Sequence, residues 1–354
     1  RCNIERMATR ARAAGVRLRP HAKTHQSATL AGWFHDHGAR GITVSSTAMA
    51  EAFAAHGWTD ITIAFPVQPR DLEAIDALAR RVQLGVLVDA LPAVEALAAR
   101  DAARLRVWIK VDVGYHRCGV PHDDASGLAA LARAIDAAPH LELAGLLTHA
   151  GHSYAATGAE AIRAVHRESS ARLRAAAGRL HACGFDDLAV SVGDTPTCSI
   201  ARDFDGIDEI RPGNFVFHDL MQVAIGSCSA ADIGVALACP VVGVYPGRGE
   251  IVVHGGAVHL GKESLPDADG RPTYGCLIDL AAEGLGALRD ECVVTALSQE
   301  HGVVRVPPAR LRGLRIGDLV AIAPVHACLT CDLHDGYTTF DGTTIERLHG
   351  GRWR

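Results

Sequence analysis

No stretch of this 354-residue chain holds the run of about 20 apolar residues that a helix needs to cross a bilayer, so no membrane span is expected. Basic residues are not in excess. Lys and Arg number 35 against 40 Asp and Glu, a net charge of −5, which leaves no cationic surface for nucleic acid. There is no low-complexity tract, no internal repeat and no secretory signal, and a cytoplasmic location is expected. The ten cysteines lack the spacing of a small disulfide scaffold, so most are expected to be small buried apolar residues. An initiating methionine is missing too. The chain begins at Arg1 inside "CNIERMATRARAAG", which reads as helix, so a leading segment is expected upstream.

What is present is an ordinary globular composition, 48% hydrophobic and 21% charged, long enough for a large core in two domains. Nineteen histidines leave room for metal or cofactor work. Short β-branched runs recur at Val16–Arg19, Ile42–Ser45, Ile61–Phe65, Leu84–Asp89, Val107–Asp112, Leu143–His149, Ala189–Gly193 and Glu209–Val216. Ala-rich amphipathic stretches such as "TAMAEAFAAHG" and "PRDLEAIDALARR" separate them. Strand and helix alternating eight times predict a closed parallel (β/α)8 barrel over residues 1–225. From about Gly226 short strands follow one another with Gly and Pro between them, and residues 226–354 are expected to form a mostly antiparallel β-domain.

In such a barrel the active site lies at the C-terminal ends of the strands. Lys23 follows the first predicted strand, Ser45 and Ser46 the second, and Asp112 and Arg117 the fifth. His149, His152 and Tyr154 follow the sixth, Gly193-Asp194-Thr195-Pro196-Thr197 the seventh, and Arg211-Pro212-Gly213-Asn214 lies in the eighth. Desolvation and neighbouring cations would lower the pKa of Lys23, and a neutral amine can attack a carbonyl. The "VGDTPT" and "RPGN" loops offer backbone N–H groups and hydroxyls suited to a phosphate monoester. A lysine and a phosphate cup in one mouth point to pyridoxal 5′-phosphate (PLP), which carries both an aldehyde and a phosphate. A barrel binding some other phosphosugar is the competing reading.

"RPHAKTHQS", "KVDVGYHRCGV", "GLLTHAGHSY", "VGDTPT" and "EIRPGNFVFHDLMQ" stand in order along the chain. Together they resemble the fold-type III PLP enzymes, the alanine racemase-like barrels, and within these the D-serine dehydratase and D-threonine aldolase branch. The resemblance implies that Lys23 is the lysine joined to PLP and that Arg117 contacts its phenolate oxygen, a match for a planar, permanently charged guanidinium. It places His149 on the pyridine face. It gives the phosphate to Gly193, Thr195, Thr197, Gly213 and Asn214, with Tyr154 counted among the cofactor-binding residues. Arg211 aligns with a residue that lies near the pyridine nitrogen in racemases. A homodimer is implied as well.

Near the end stands "APVHACLTCDLHDGYTTF". His326 and Cys328, read as alternate residues of an extended segment, would point the same way, and imidazole with thiolate is a Zn²⁺ pairing. A closed four-ligand site adding Cys331 and His334 is the alternative on spacing. The resemblance implies instead a catalytic zinc on the His-x-Cys pair beside PLP, where aldolases carry His-x-Asp and a harder Mn²⁺ or Mg²⁺. The expected activity is therefore that of a PLP- and metal-dependent lyase acting on small D-3-hydroxy amino acids, as a dehydratase. Aldolase cleavage to glycine and an aldehyde, and a PLP-binding protein without turnover, are the alternatives.

Overall fold

The computed structural model describes residues 1–100 and 103–348. The tail of the expected second domain, 349–354, lies outside them. Two compact units divide the chain. One runs from Arg1 to Gly213 and takes in Leu348, and the other is Asn214–Arg347.

The first unit is built on eight parallel strands: β1 (Arg17–Leu18), β2 (Ile42–Val44), β3 (Asp60–Pro66), β4 (Gln83–Val88), β5 (Leu105–Asp112), β6 (Leu141–Leu147), β7 (Ala189–Val192) and β8 (Glu209–Ile210). Their order is β1-β8-β7-β6-β5-β4-β3-β2, as the alternating pattern predicts. The ring closes between β2 and β1 through an isolated parallel bridge, His21 to Thr43, in which Thr43 N–H donates to Pro20 O and Ala22 N–H to Thr43 O. Toward β8 the contact runs past Pro20, His21 N–H donating to Pro212 O, before the chain turns into the segment that carries Lys23. Helices on the outside bury one face each. In Ala159–His181 the buried positions Ile162, His166, Ser169, Leu173, Ala176 and Leu180 follow the helical period.

Two expectations need correction here. The eighth strand does not run to Val216. It stops at Ile210, and Asn214–Val216 is a tight 3₁₀ turn whose Asn214 carbonyl accepts from Phe217 and His218 N–H. Pro212 cannot donate to a ladder, which ends it. Of the ten cysteines, five are buried: Cys198, Cys239, Cys276, Cys292 and Cys331. The others are partly or fully exposed, Cys2 and Cys183 most of all.

The second unit holds β9 (Leu237–Tyr245), β10 (Glu250–His254), β11 (Gly275–Ala281), β12 (Gly284–Leu297), β13 (His301–Arg305) and β14 (Leu319–Pro324). These pair antiparallel in the order β9-β10-β13-β12-β11-β14 and close into a barrel. Closure removes the free edges that so many short strands would leave. The core is Val241, Ile251, Val253, Val294, Val304 and Ile322, all buried, each contributing about 1.5–3 kcal/mol of burial. Among the described residues no helix is long and apolar enough to cross a membrane.

Candidate active site

The first unit gathers most of the predicted residues at one mouth. Lys23 lies in the turn after β1, its backbone N–H 3.4 Å from His21 Nδ1. Its charge, after burial itself, helps to push both the His21 and His149 imidazoles well below their ordinary pKa, so these rings are neutral. The expected desolvation of Lys23 is not what the structure shows, because its side chain is exposed. The groups its charge acts on are the His21 and His149 rings. His149 is held in place by a hydrogen bond between Nδ1 and the Gly193 carbonyl. Tyr115 meets its ring edge-on at 5.9 Å and Tyr154 lies at 6.3 Å, so His149 is the centre of an aromatic row. The Arg117 guanidinium sits 5.1 Å over the Tyr115 ring.

The loop after β7 is fixed by Asp194. Its carboxylate accepts from Thr197 N–H, Thr197 Oγ1 and Ser153 Oγ, each at 2.8 Å, and caps the short helix Thr195–Ile200. The Thr195 N–H reaches Tyr154 Oη at 3.4 Å. Gly193 is required by packing, since a Cβ there would lie 2.9 Å from the Arg211 carbonyl carbon. Gly213 is similar, with a Cβ falling 2.9 Å from the His21 carbonyl oxygen. The ends of β1, β7 and β8 thus come together backbone to backbone. Asp112, expected to be a structural acceptor, takes the N–H groups of Gly114, Tyr115 and His116 at 2.9–3.0 Å and shapes the Arg117 loop.

Sequence reasoning missed two groups in this unit. Lys110, on β5, is buried and donates to the Val111 carbonyl at 3.2 Å and Thr148 Oγ1 at 3.4 Å. Burial, with Arg211 and Arg117 nearby, brings its pKa down to about 7. A signal existed: the chain has only three lysines, Lys23, Lys110 and Lys262. A chain that relies on arginine elsewhere keeps an amine able to lose its proton at this mouth. The second group is a buried chain of charges. Arg211 donates to Ser191 Oγ (2.7 Å), Ser191 to Glu209 (2.9 Å), Arg19 to Glu209 (2.7 Å), and Arg19 grips Asp60 with both ends of its fork. Burial draws Arg211 down to about 10, with Glu209 opposing.

Lys23, Lys110, Arg117 and Arg211 therefore act on neighbouring groups of one mouth whose nearest carboxylates are already spent on loop amides and on Ser191. Such a mouth is short of anions. A phosphate and a phenolate supply them, and the neutral ring of His149 suits a flat apolar face. These residues fit PLP.

The second unit holds the predicted metal pair. His326 and Cys328 are not alternate residues of a strand: His326 is the N-cap of the short helix Ala327–Asp332. Asp219, which sequence reasoning also missed, explains the geometry. Wholly buried, it accepts from Ala327 N–H (2.8 Å), Asn214 Nδ2 (2.6 Å) and Gln222 N–H (3.0 Å), so it satisfies the orphan amide that starts the helix. His326 Nδ1 lies 3.6 Å from the Asp219 carboxylate and has no hydrogen-bond partner. Burial would lower the His326 pKa, but the Cys328 sulfur and Asp219 raise it to about 9. The Asn214 side chain is turned to Asp219 and reaches Cys328 Sγ at 3.7 Å. An orphaned buried ring nitrogen and a thiol, with a buried carboxylate behind the ring, fit a borderline-soft divalent cation. His334 does not join them; its Nε2 bonds the His259 carbonyl at 2.9 Å, so the closed four-ligand set is not assembled among the described residues.

The chain was compared with known proteins. Residues 1–220 match the alanine racemase N-terminal domain and residues 234–340 the serine dehydratase domain. D-threo-3-hydroxyaspartate dehydratase of Delftia sp. HT23 is 36% identical over 98% of this chain and 94% of its own. Its structure superposes with a TM-score of 0.91, covering 99% of this chain and 95% of that one. Structures of a histidine-to-alanine and a cysteine-to-alanine variant of that enzyme are also similar, the latter described as a metal-free form, and one residue separates the two substituted positions. D-serine dehydratase of Dictyostelium discoideum is 27% identical over 95% of this chain and 89% of its own. D-threonine aldolase of an Arthrobacter species is 29% identical over 94% and 84%. With both domain patterns and a relative of this identity along nearly its whole length, the chain belongs to the fold-type III PLP-dependent lyases that join an alanine racemase-type barrel to a serine dehydratase domain.

Proposed function

We propose that this protein is a D-3-hydroxy amino acid dehydratase, releasing ammonia and a 2-oxo acid from D-serine, D-threo-3-hydroxyaspartate or a close analogue. The observation that carries it is the His326–Cys328 pair over buried Asp219, a donor set for Zn²⁺ in a chain whose barrel is built for PLP. PLP, when bound, supplies an aldehyde that takes the substrate amine and a ring that accepts negative charge. Lys23 would hold it, Arg117 would face its phenolate, His149 would lie on its ring, and Gly193, Thr195, Thr197, Gly213, Asn214 and Tyr154 would surround its phosphate. The Thr197 backbone N–H and hydroxyl hydrogen both go to Asp194, so Thr197 shapes the loop rather than donating to the phosphate. The Asn214 contribution would be its backbone amide, since its side chain faces Asp219 and Cys328.

The amine of Lys23, in the exposed turn after β1, takes the proton from the substrate Cα. His149, its pKa pushed well below the ordinary value by burial, is a weak base beside Lys23 and adds no charge to the ring face. Zn²⁺ on His326 and Cys328 would supply Lewis acidity for a leaving hydroxyl. A cytoplasmic homodimer completes the proposal.

The relationship to D-threonine aldolase keeps retro-aldol cleavage as the second reading. Incubation with D-serine, D-threonine and D-threo-3-hydroxyaspartate separates the two. We expect ammonia and an oxo acid, abolished by a chelator and restored by Zn²⁺. Glycine and an aldehyde instead would establish the aldolase, and unchanged turnover after verified metal removal would refute the metal's role.

A further inference from the structure

Three side chains of the second unit that the proposed reaction leaves unused meet at one end of its barrel. His254 ends β10, His259 lies in the helical turn Ala257–Leu260 just after it, and Glu300 lies in the turn between β12 and β13. One ligand atom from each falls within 4.8 Å of the other two. His254 Nε2 is 3.4 Å and His259 Nε2 3.8 Å from the same oxygen, Glu300 Oε2. Ligand atoms around a tetrahedral Zn²⁺ with bonds near 2.0–2.1 Å stand about 3.3 Å apart. Two of the three edges are therefore within about half an ångström of a zinc site, a movement open to side chains at the surface.

The supports around the three are built in. Gln299 Nε2 donates to Glu300 Oε1 at 3.2 Å and leaves Oε2 to the imidazoles. His254 pairs with His301 in the β10–β13 register, which fixes where it stands beside Glu300. His334 stacks on His259 at 6.3 Å and bonds its carbonyl, bracing the turn. The donors are two imidazoles and a carboxylate, too nitrogen-rich for Ca²⁺ or Mg²⁺ and suited to a borderline ion. Two contacts oppose binding: the hydrogen bond between His254 Nε2 and Glu300 Oε2, which the ion replaces, and the Gly256 N–H that His259 Nδ1 accepts at 3.2 Å. Coordination through Nε2 moves the ring hydrogen to Nδ1, and that long contact opens.

We propose that His254, His259 and Glu300 form a second divalent-cation site, taking Zn²⁺ or an ion of like chemistry, which clips the β12–β13 turn to the end of β10. It shares no ligand with the His326–Cys328 pair and does not depend on the function proposed above. The protein, free of any affinity tag and stripped by chelator, is titrated with Co²⁺. In Cys328→Ser one equivalent should bind, with visible ligand-field bands and no thiolate charge-transfer band. His254→Ala or Glu300→Gln in that background should weaken it by at least about tenfold. No binding in Cys328→Ser, or binding untouched by either second substitution, overturns the proposal. Should Cys328→Ser not fold, the unsubstituted protein gives the answer. A binding phase without the charge-transfer band should be present and disappear in His254→Ala, and a single phase carrying the band overturns the site. If the His326–Cys328 pair holds no metal, only the band-free phase is seen, so the two failures are told apart.

Discussion

At the scale of single residues, the mouth of the first barrel is governed by two amines in different settings. Lys23 is exposed in the turn after β1, and Lys110 is buried on β5. Lys23→Ala should abolish borohydride-dependent labelling at this position and lower turnover by at least ~10³-fold, as loss of both nucleophile and base requires. Labelling that persists elsewhere with activity intact would remove Lys23 from the site. Lys110 carries a pH dependence whose sign is fixed. Its pKa is about 7 in the fold against 10.5 for a free lysine. Between these values the unfolded chain binds the extra proton, so stability rises with pH across that window. Below about pH 7 both states are protonated and the cost of the buried charge is felt in full. In the cofactor-stripped enzyme, the melting temperature of the unsubstituted protein relative to Lys110→Met should climb between pH 7 and 10. A flat difference would show that Lys110 keeps its ordinary pKa.

At the scale of elements, the site depends on where strands stop. β8 stops at Ile210, short of Pro212, and Gly193 and Gly213 let the loops after β7 and β8 approach their neighbours. Gly145 does similar work inside β6. It has φ of +143°, and a Cβ there would fall onto the Ala189 backbone of β7. Gly145→Ala should destabilise the first unit by about 1–3 kcal/mol, read by chemical denaturation. A neutral result would mean that β6 and β7 can separate without penalty. In the second unit Asp219 is the corresponding device. Asp219→Ala leaves the Ala327 N–H and the Asn214 amide without their acceptor and takes a negative charge from beside His326. We expect Zn²⁺ affinity to fall about 10–100-fold by metal titration, with lowered stability. Full affinity in this variant would show that His326 and Cys328 position themselves.

At the scale of the whole molecule, PLP binds the folded chain alone, so a hundredfold excess over its Kd should stabilise the protein by about 2.7 kcal/mol, visible as a rise in melting temperature. No shift, with PLP retained through gel filtration, would mean that the unfolded chain binds it equally. The fold was largely legible in advance. Eight β-branched runs separated by Ala-rich amphipathic stretches bury both faces in a parallel sheet, here curled into a barrel, and short Gly- and Pro-punctuated strands without crossover helices pair antiparallel. Lys23, Arg117 and His149 were legible because they stand just past strand ends, where local order in the chain fixes position. Chain order placed the barrel and its mouth, while the His-x-Cys pair came from the resemblance and stands at a helix start instead of in the expected strand. Only the tertiary structure decided that Lys110 is the buried amine, that Glu209 and Arg19 lie behind Arg211, that Asp219 starts the helix of the metal pair, and that His254, His259 and Glu300 converge. Each of those facts rests on burial or on contact between residues far apart in sequence, and neither burial nor distant contact is written in the local pattern.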